Sequence, residues 1–85
     1  MGNYKLKIKP SALKELEKIP RNDSKKIINK IKSLAHNPHP VGSEKLSGSE
    51  KYRIRQGNYR IIYSIENNAL IVFVIKIAHR KDVYK

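Results

Sequence analysis

From Ala69 to His79 the chain reads ALIVFVIKIAH, apolar at nearly every position and rich in β-branched side chains. Such side chains lose rotamer freedom in a helix but pack well on a pleated surface, so the run predicts a strand. A strand with so little polar alternation lacks a solvent face. It belongs in the middle of a sheet covered at least partly on both sides. The unbroken apolar part, Ala69–Ile75, is far shorter than the roughly 20 residues that a membrane helix needs. The rest of the chain must therefore assemble around a buried strand.

Two strands precede it. In KYRIR, Tyr52 and Ile54 share one face and Arg53 and Arg55 the other. In YRIIYSI, Tyr59, Ile61, Tyr63 and Ile65 alternate with Arg60, Ile62 and Ser64. Gln56, Gly57 and Asn58 make a turn between these strands, and Asn67 and Asn68 supply the next, since asparagine tolerates left-handed backbone. Short turns make sequential strands antiparallel neighbours, so the three read as a meander.

Near the N-terminus, Tyr4, Leu6 and Ile8 alternate with Lys5, Lys7 and Lys9, a fourth strand that Pro10 ends. Ser11 is the expected cap of a short helix carrying Leu13, Leu16 and Ile19, closed by Pro20. Asp23 or Ser24 then caps a second helix with an apolar stripe of Ile27, Ile28, Ile31, Leu34 and Ala35. Asn37–Gly48, with two prolines and two glycines, reads as a loop. The expected fold is α+β in one domain, 1–85: an N-terminal strand, a helical hairpin, then a three-stranded antiparallel meander forming one twisted sheet. The helices cover one face, because their stripes need apolar surface to bury.

The 19 Lys and Arg against seven Asp and Glu give a formal charge of +12, spread through both halves of the 85 residues. That balance favours a polyanion or an acidic protein as partner, through the summed field and the release of counterions from phosphates. There are no cysteines, which excludes disulfides and thiolate metal clusters and suits a reducing compartment. MGNYKLKIKP lacks the apolar run of a signal peptide, so a cytoplasmic protein with no membrane association is expected.

Arg53 and Arg55 share a face, Arg60 returns past a short turn, and Arg80 and Tyr84 follow the last strand. Four guanidinium groups gathered together repel one another unless an anion neutralises them, and arginine's planar fork suits phosphate oxygens. The other reading of Arg53, Arg60 and Arg80 is surface pairing with Glu44, Glu50, Glu66 or Asp82. Tyr84 lies in a polar segment, where it can stack on a base, move a proton or serve as a surface aromatic. His79 combines a near-neutral free pKa with a neighbouring arginine; it too has the plainer reading of a packed or exposed ring. His36, His39 and His79 match no zinc spacing, and no nucleotide-binding glycine motif is present, so no cofactor and no metal are expected. An enzyme built this way would work on phosphodiesters with side chains alone.

The opening YKLKIKPSALKELEKIP, the EKLSG before a strand, YRIRQGNYRIIYSI and the closing VFVIKIAHRKDVY together resemble the RelE branch of the RelE/ParE toxin superfamily across nearly the whole chain. The resemblance implies a microbial ribonuclease-like fold and a ribosome-dependent mRNA endoribonuclease that cuts mRNA in the A site of the 70S ribosome. It also implies a cognate antitoxin as partner, and a toxin-antitoxin complex that binds operator DNA. The family's two alternating basic residues fall at Arg53 and Arg55, the arginine of its GYR-like segment at Arg60, the arginine after the last strand at Arg80 and the C-terminal tyrosine at Tyr84.

By that resemblance the ribose 2′-OH attacks the adjacent phosphate without a metal, while Arg60 and Arg80 hold the nonbridging oxygens. Some members carry lysine where this chain has Arg53 and Arg55. Arginine stays protonated at a pKa of about 12.5 or above, so the proton goes to Tyr84 or to His79, or the ribosome's orientation of the RNA makes a strong base unnecessary. Two other readings share the fold: a ParE-like noncatalytic inhibitor of DNA gyrase, and a nontoxic protein that binds RNA or an antitoxin.

Overall fold

The computed structural model describes residues 3–46, 48 and 50–79. Along them run β1 (Lys5–Ile8), α1 (Pro10–Lys18), α2 (Arg21–His36), β2 (Glu44–Lys45), β3 (Lys51–Gln56), β4 (Tyr59–Glu66) and β5 (Ile71–His79). The strands form one sheet in the order β1-β5-β4-β3-β2. The expected meander is present as β3, β4 and β5, each antiparallel to the next. The apolar strand β5 is internal, as its composition requires, with β1 parallel along its other edge. The loop reading of residues 37–48 missed β2, a two-residue strand that pairs Glu44 with Arg53 and Lys45 with Tyr52. Two residues are too few to show a period.

Both helices lie on one face of the sheet. Ala12 and Leu16 of α1 and Ile27, Ile31 and Leu34 of α2 join Ile54, Ile61, Tyr63, Val72, Val74 and Ile77 in one buried cluster. Spacings of four and three residues along α2 put its three buried side chains on one stripe, while Ile28 stands at the stripe's edge and is 36% exposed. Leu13, expected in the apolar stripe of α1, is exposed, and Ala12 takes the buried place.

Neither helix begins at the cap the sequence suggests. Helix α1 starts with Pro10 itself, and neither helix has a side-chain cap bond. Proline at the first helical position needs no cap for its nitrogen, and its fixed φ already suits the helix, so Ser11 falls inside α1. Pro20 is the residue before α2; its carbonyl accepts the first helical bond from Ser24 N–H at 2.9 Å. The Ser24 hydroxyl donates to the Arg21 carbonyl at 3.0 Å instead of capping.

The hairpin between β3 and β4 has Gly57 at φ 62° in its first central position, the geometry of a type II′ turn, whose twist matches that of the flanking strands. In the connection from β4 to β5 the left-handed residue is Leu70, at φ 55°, not Asn67 or Asn68. That geometry serves β1: the Leu70 carbonyl accepts the Lys5 N–H at 2.7 Å, and Asn67 Oδ1 accepts the Tyr4 hydroxyl at 3.0 Å.

One residue of β5 has no partner. Ile62 pairs with Lys76 and Tyr63 with Val74, so Ile75 is an inserted residue, a β-bulge. Val72 and Val74 point toward the helices; after the bulge Ile77, not Lys76, takes the next buried place.

A left-handed leucine costs roughly 1–2 kcal/mol, and Leu70 is 44% exposed, so its side chain contributes little burial in return. Leu70→Asn is expected to raise stability by about 1 kcal/mol in a urea or guanidinium titration; a loss of stability would show that the leucine side chain holds the turn.

Candidate active site

The face of the sheet turned away from the helices carries the charge. Strand alternation places Arg53 and Arg55 on that face of β3, since Ile54 between them is in the core. Arg60 lies on the same face of β4, between Tyr59 and the buried Ile61. Arg55 and Arg60 are directly opposed in register, and Ala78 of β5 opposes Arg60 from the other side. Cross-strand partners have their Cβ atoms about 4.5–5.5 Å apart, and like charges so placed repel. Arg55 is exposed, whereas Arg60 is 4% exposed. A buried guanidinium loses the screening of water, so its field reaches further than that of a surface cation.

One row along, Arg53 lies between Ile62 on β4 and Glu44 on β2. Arg53 Nη2 donates to Glu44 Oε1 at 2.6 Å. The pairing weighed from sequence for Arg53 is thus present, and the two-residue strand β2 makes it. The Arg53 hydrogen bond and the Arg53 charge hold the Glu44 carboxyl below its usual pKa of 4.5, against an opposing effect of burial; Arg55 and Arg60 add smaller pushes in the same direction as Arg53. One exposed carboxylate therefore feels all three arginines. Nothing short of the register of β2 signals this role for Glu44 in the sequence.

His79 is elsewhere. It pairs with Tyr59, whose ring it meets edge-on at 5.1 Å between centroids. Tyr59 packs against the core, so His79 lies on the helix side of the sheet and is not gathered with the arginines. Arg80 and Tyr84 lie outside the described residues. Among the described residues no cluster of three His, Cys, Asp or Glu could hold a metal ion, and no helix is long and apolar enough to cross a membrane.

The loop leading into β2 is anchored by aromatic side chains. Tyr63 is fully buried, and its hydroxyl donates to the Pro38 carbonyl at 2.8 Å. Tyr52 stacks on Tyr63 at 5.8 Å between ring centroids, and His39 meets Tyr52 edge-on at 5.1 Å. This ladder fixes where the loop leaves α2 and hence where Glu44 arrives beside Arg53.

A family model described as the ParE toxin of the type II toxin-antitoxin system, parDE, matches residues 6–84. The chain is 31% identical over 86 residues to a RelE-like toxin protein of Escherichia coli, covering 95% of this chain and 90% of that protein. It is 26% identical to the toxin RelG of Mycobacterium tuberculosis, covering 96% and 97%. Among solved structures, the archaeal RelE-RelB complex from Pyrococcus horikoshii OT3 superposes with a TM-score of 0.83 at 27% identity, covering 92% of this chain and 96% of that one. The isolated E. coli RelE toxin gives a TM-score of 0.79 at 28% identity, covering 95% and 90%. The chain belongs to the RelE/ParE toxin superfamily, in its RelE-like branch.

Burial, against a weaker opposing hydrogen bond with Ser43, pushes the Tyr63 hydroxyl above its usual pKa of 10.0. The neutral phenol is favoured in the folded state, so its contribution is complete below pH 10.0 and is lost as pH rises through the raised pKa. Tyr63→Phe leaves the Pro38 carbonyl without its donor, at a cost of about 1–3 kcal/mol near neutral pH. The difference in melting temperature between the two proteins should narrow above pH 10.0; a difference that holds constant into the alkaline range would show that Tyr63 does not titrate with unfolding.

Proposed function

We propose that the chain is a ribosome-dependent endoribonuclease that cuts mRNA in the A site of the 70S ribosome, inhibits translation and is restrained by a cognate antitoxin. The observation that carries the reading is the face on which Arg53, Arg55 and Arg60 stand together on adjacent strands with Glu44 against them. An RNA phosphate is the counterpart that relieves the repulsion between Arg55 and Arg60, and the family membership supports the same chemistry.

In this reading the ribose 2′-oxygen attacks the neighbouring phosphorus as the bond from phosphorus to the 5′-oxygen breaks. The products are a 2′,3′-cyclic phosphate and a 5′-hydroxyl, and no metal takes part. Arg60 and Arg80 bind the nonbridging oxygens, where charge builds in the transition state. Burial of Arg60 suits that task, because a fixed, desolvated cation needs no reorganisation as the reaction proceeds. Arg55, exposed across from Arg60, steadies the charge on the leaving 5′-oxygen until water protonates it, and Arg53 binds a flanking phosphate. Tyr84 accepts the 2′-proton. The placement of His79 against Tyr59, on the other side of the sheet, favours Tyr84 over His79 for that step.

The relative from P. horikoshii was solved with RelB, and the E. coli RelBE toxin-antitoxin complex superposes with a TM-score of 0.79. A protein antitoxin is accordingly the partner proposed here, with operator DNA bound by the pair. The second reading, a noncatalytic gyrase inhibitor, is favoured by the ParE description of the family model.

Mapping of 5′-ends on a defined mRNA, with the purified chain added to programmed ribosomes, separates the two. Cuts confined to the A-site codon are expected, with none at a 2′-deoxy nucleotide and a fall of about 10²–10³ in rate for Arg80→Ala or Arg55→Ala. Intact RNA together with inhibition of DNA supercoiling would transfer the chain to the gyrase reading. In the same assay Glu44→Gln should lower the half-saturating ribosome concentration, because Arg53 no longer has to exchange a carboxylate for a phosphate. An unchanged or raised value would mean that Arg53 does not contact RNA.

A further inference from the structure

We propose that the groove between α2 and the end of β3 is a second binding surface for the sugar-phosphate backbone of folded RNA. It rests on the reading of the chain as a protein that works on the ribosome. The groove is shallow, about 300 Å³, and is lined by Lys26, Asn29, Lys30, Ser33 and Gln56. Lys26, Lys30, Asn29 and Gln56 can each donate a hydrogen bond, and none of the five side chains is acidic. Among the described residues neither Lys26 nor Lys30 has a carboxylate within 4.0 Å of its ammonium group; the Lys30 backbone carbonyl accepts the Ser33 hydroxyl at 2.6 Å. By contrast, the groove of similar volume between α1 and β5 has Glu15 in its lining.

Two unpaired ammonium groups one helical turn apart, with neutral donors around them, suit a run of phosphates on a shallow surface. They offer no enclosure for a small ligand. Position strengthens the case. Gln56 follows Arg55 and points to the other side of the sheet, so the groove and the arginine face flank the same β3–β4 hairpin. Phosphates bound in the groove hold that hairpin against its target while the arginines act on the far side. Lys26 and Lys30 are thus residues for binding, separate from the chemistry.

The test compares Lys26→Gln/Lys30→Gln with Lys25→Gln/Lys32→Gln, which removes the same charge from the same helix outside the groove. Co-sedimentation with programmed 70S ribosomes is measured at several salt concentrations, beside the A-site cleavage rate at saturating ribosomes. Loss of the groove pair should weaken binding several-fold and reduce the slope of log affinity against log salt by about 2, with the saturated cleavage rate unchanged. The Lys25/Lys32 pair should change both quantities much less. Equal losses from the two pairs would reduce the groove to diffuse net charge and overturn the proposal. So would unchanged ribosome binding with affinity lost only for an acidic antitoxin. If the parent chain binds ribosomes through the groove pair but never cuts mRNA, the nuclease reading fails alone; if it cuts mRNA and the two pairs behave alike, only the groove fails.

Discussion

The pairing of β5 on both edges is the constraint that organises this molecule. One edge takes β4 antiparallel and the other takes β1 parallel, so the most apolar segment satisfies its backbone from both sides while its side chains meet both helices. The two parallel neighbours are far apart in the chain, and the helical hairpin carries it from β1 at one edge of the sheet across to β2 at the other. The same connection that joins β1 to the rest of the sheet thereby supplies the cover for its inner face. Few residues are spent on linkers, which suits a chain of 85 with one small core.

Covering one face leaves the other for charge. The inner face takes the odd-numbered members of YRIIYSI and the outer face takes Arg60, Ile62 and Ser64, so a strand that stabilises the core also presents a cation. Arg60 and Arg55 face each other at an electrostatic cost that hydrophobic burial elsewhere must offset. Glu44 offsets part of it at Arg53, from a strand so short that it does little else for the sheet. Stability and readiness to bind an anion are in this sense opposed within a single layer of side chains.

The elements with strong periodicity were legible in the sequence: the alternation in β1, β3 and β4, the apolar run of β5, the stripe of α2 and the shared face of Arg53, Arg55 and Arg60. Features decided by one or two residues were not. Helix α1 starts at Pro10 and α2 directly after Pro20, each without a side-chain cap, and the left-handed position went to Leu70, whose carbonyl reaches Lys5. The glutamate beside Arg53 depended on the register of a two-residue strand, which no local pattern encodes. His79 looked like a neighbour of the arginines in sequence, yet alternation along β5 turns it to the opposite side.

Ile75 works like a change of phase in a signal of period two. Before it, even-numbered residues of β5 face the helices; after it, odd-numbered ones do. Drawn into a regular ladder, Ile75 would push Lys76 to the helix side and Ile77 to the outer side, leaving Ile77 and Ala78 beside Arg60 and Tyr59. The bulge thus keeps the core and the charged surface in step with β4, and deleting Ile75 would leave a plain alternating strand with Lys76, Ile77, Ala78 and His79 on their present sides.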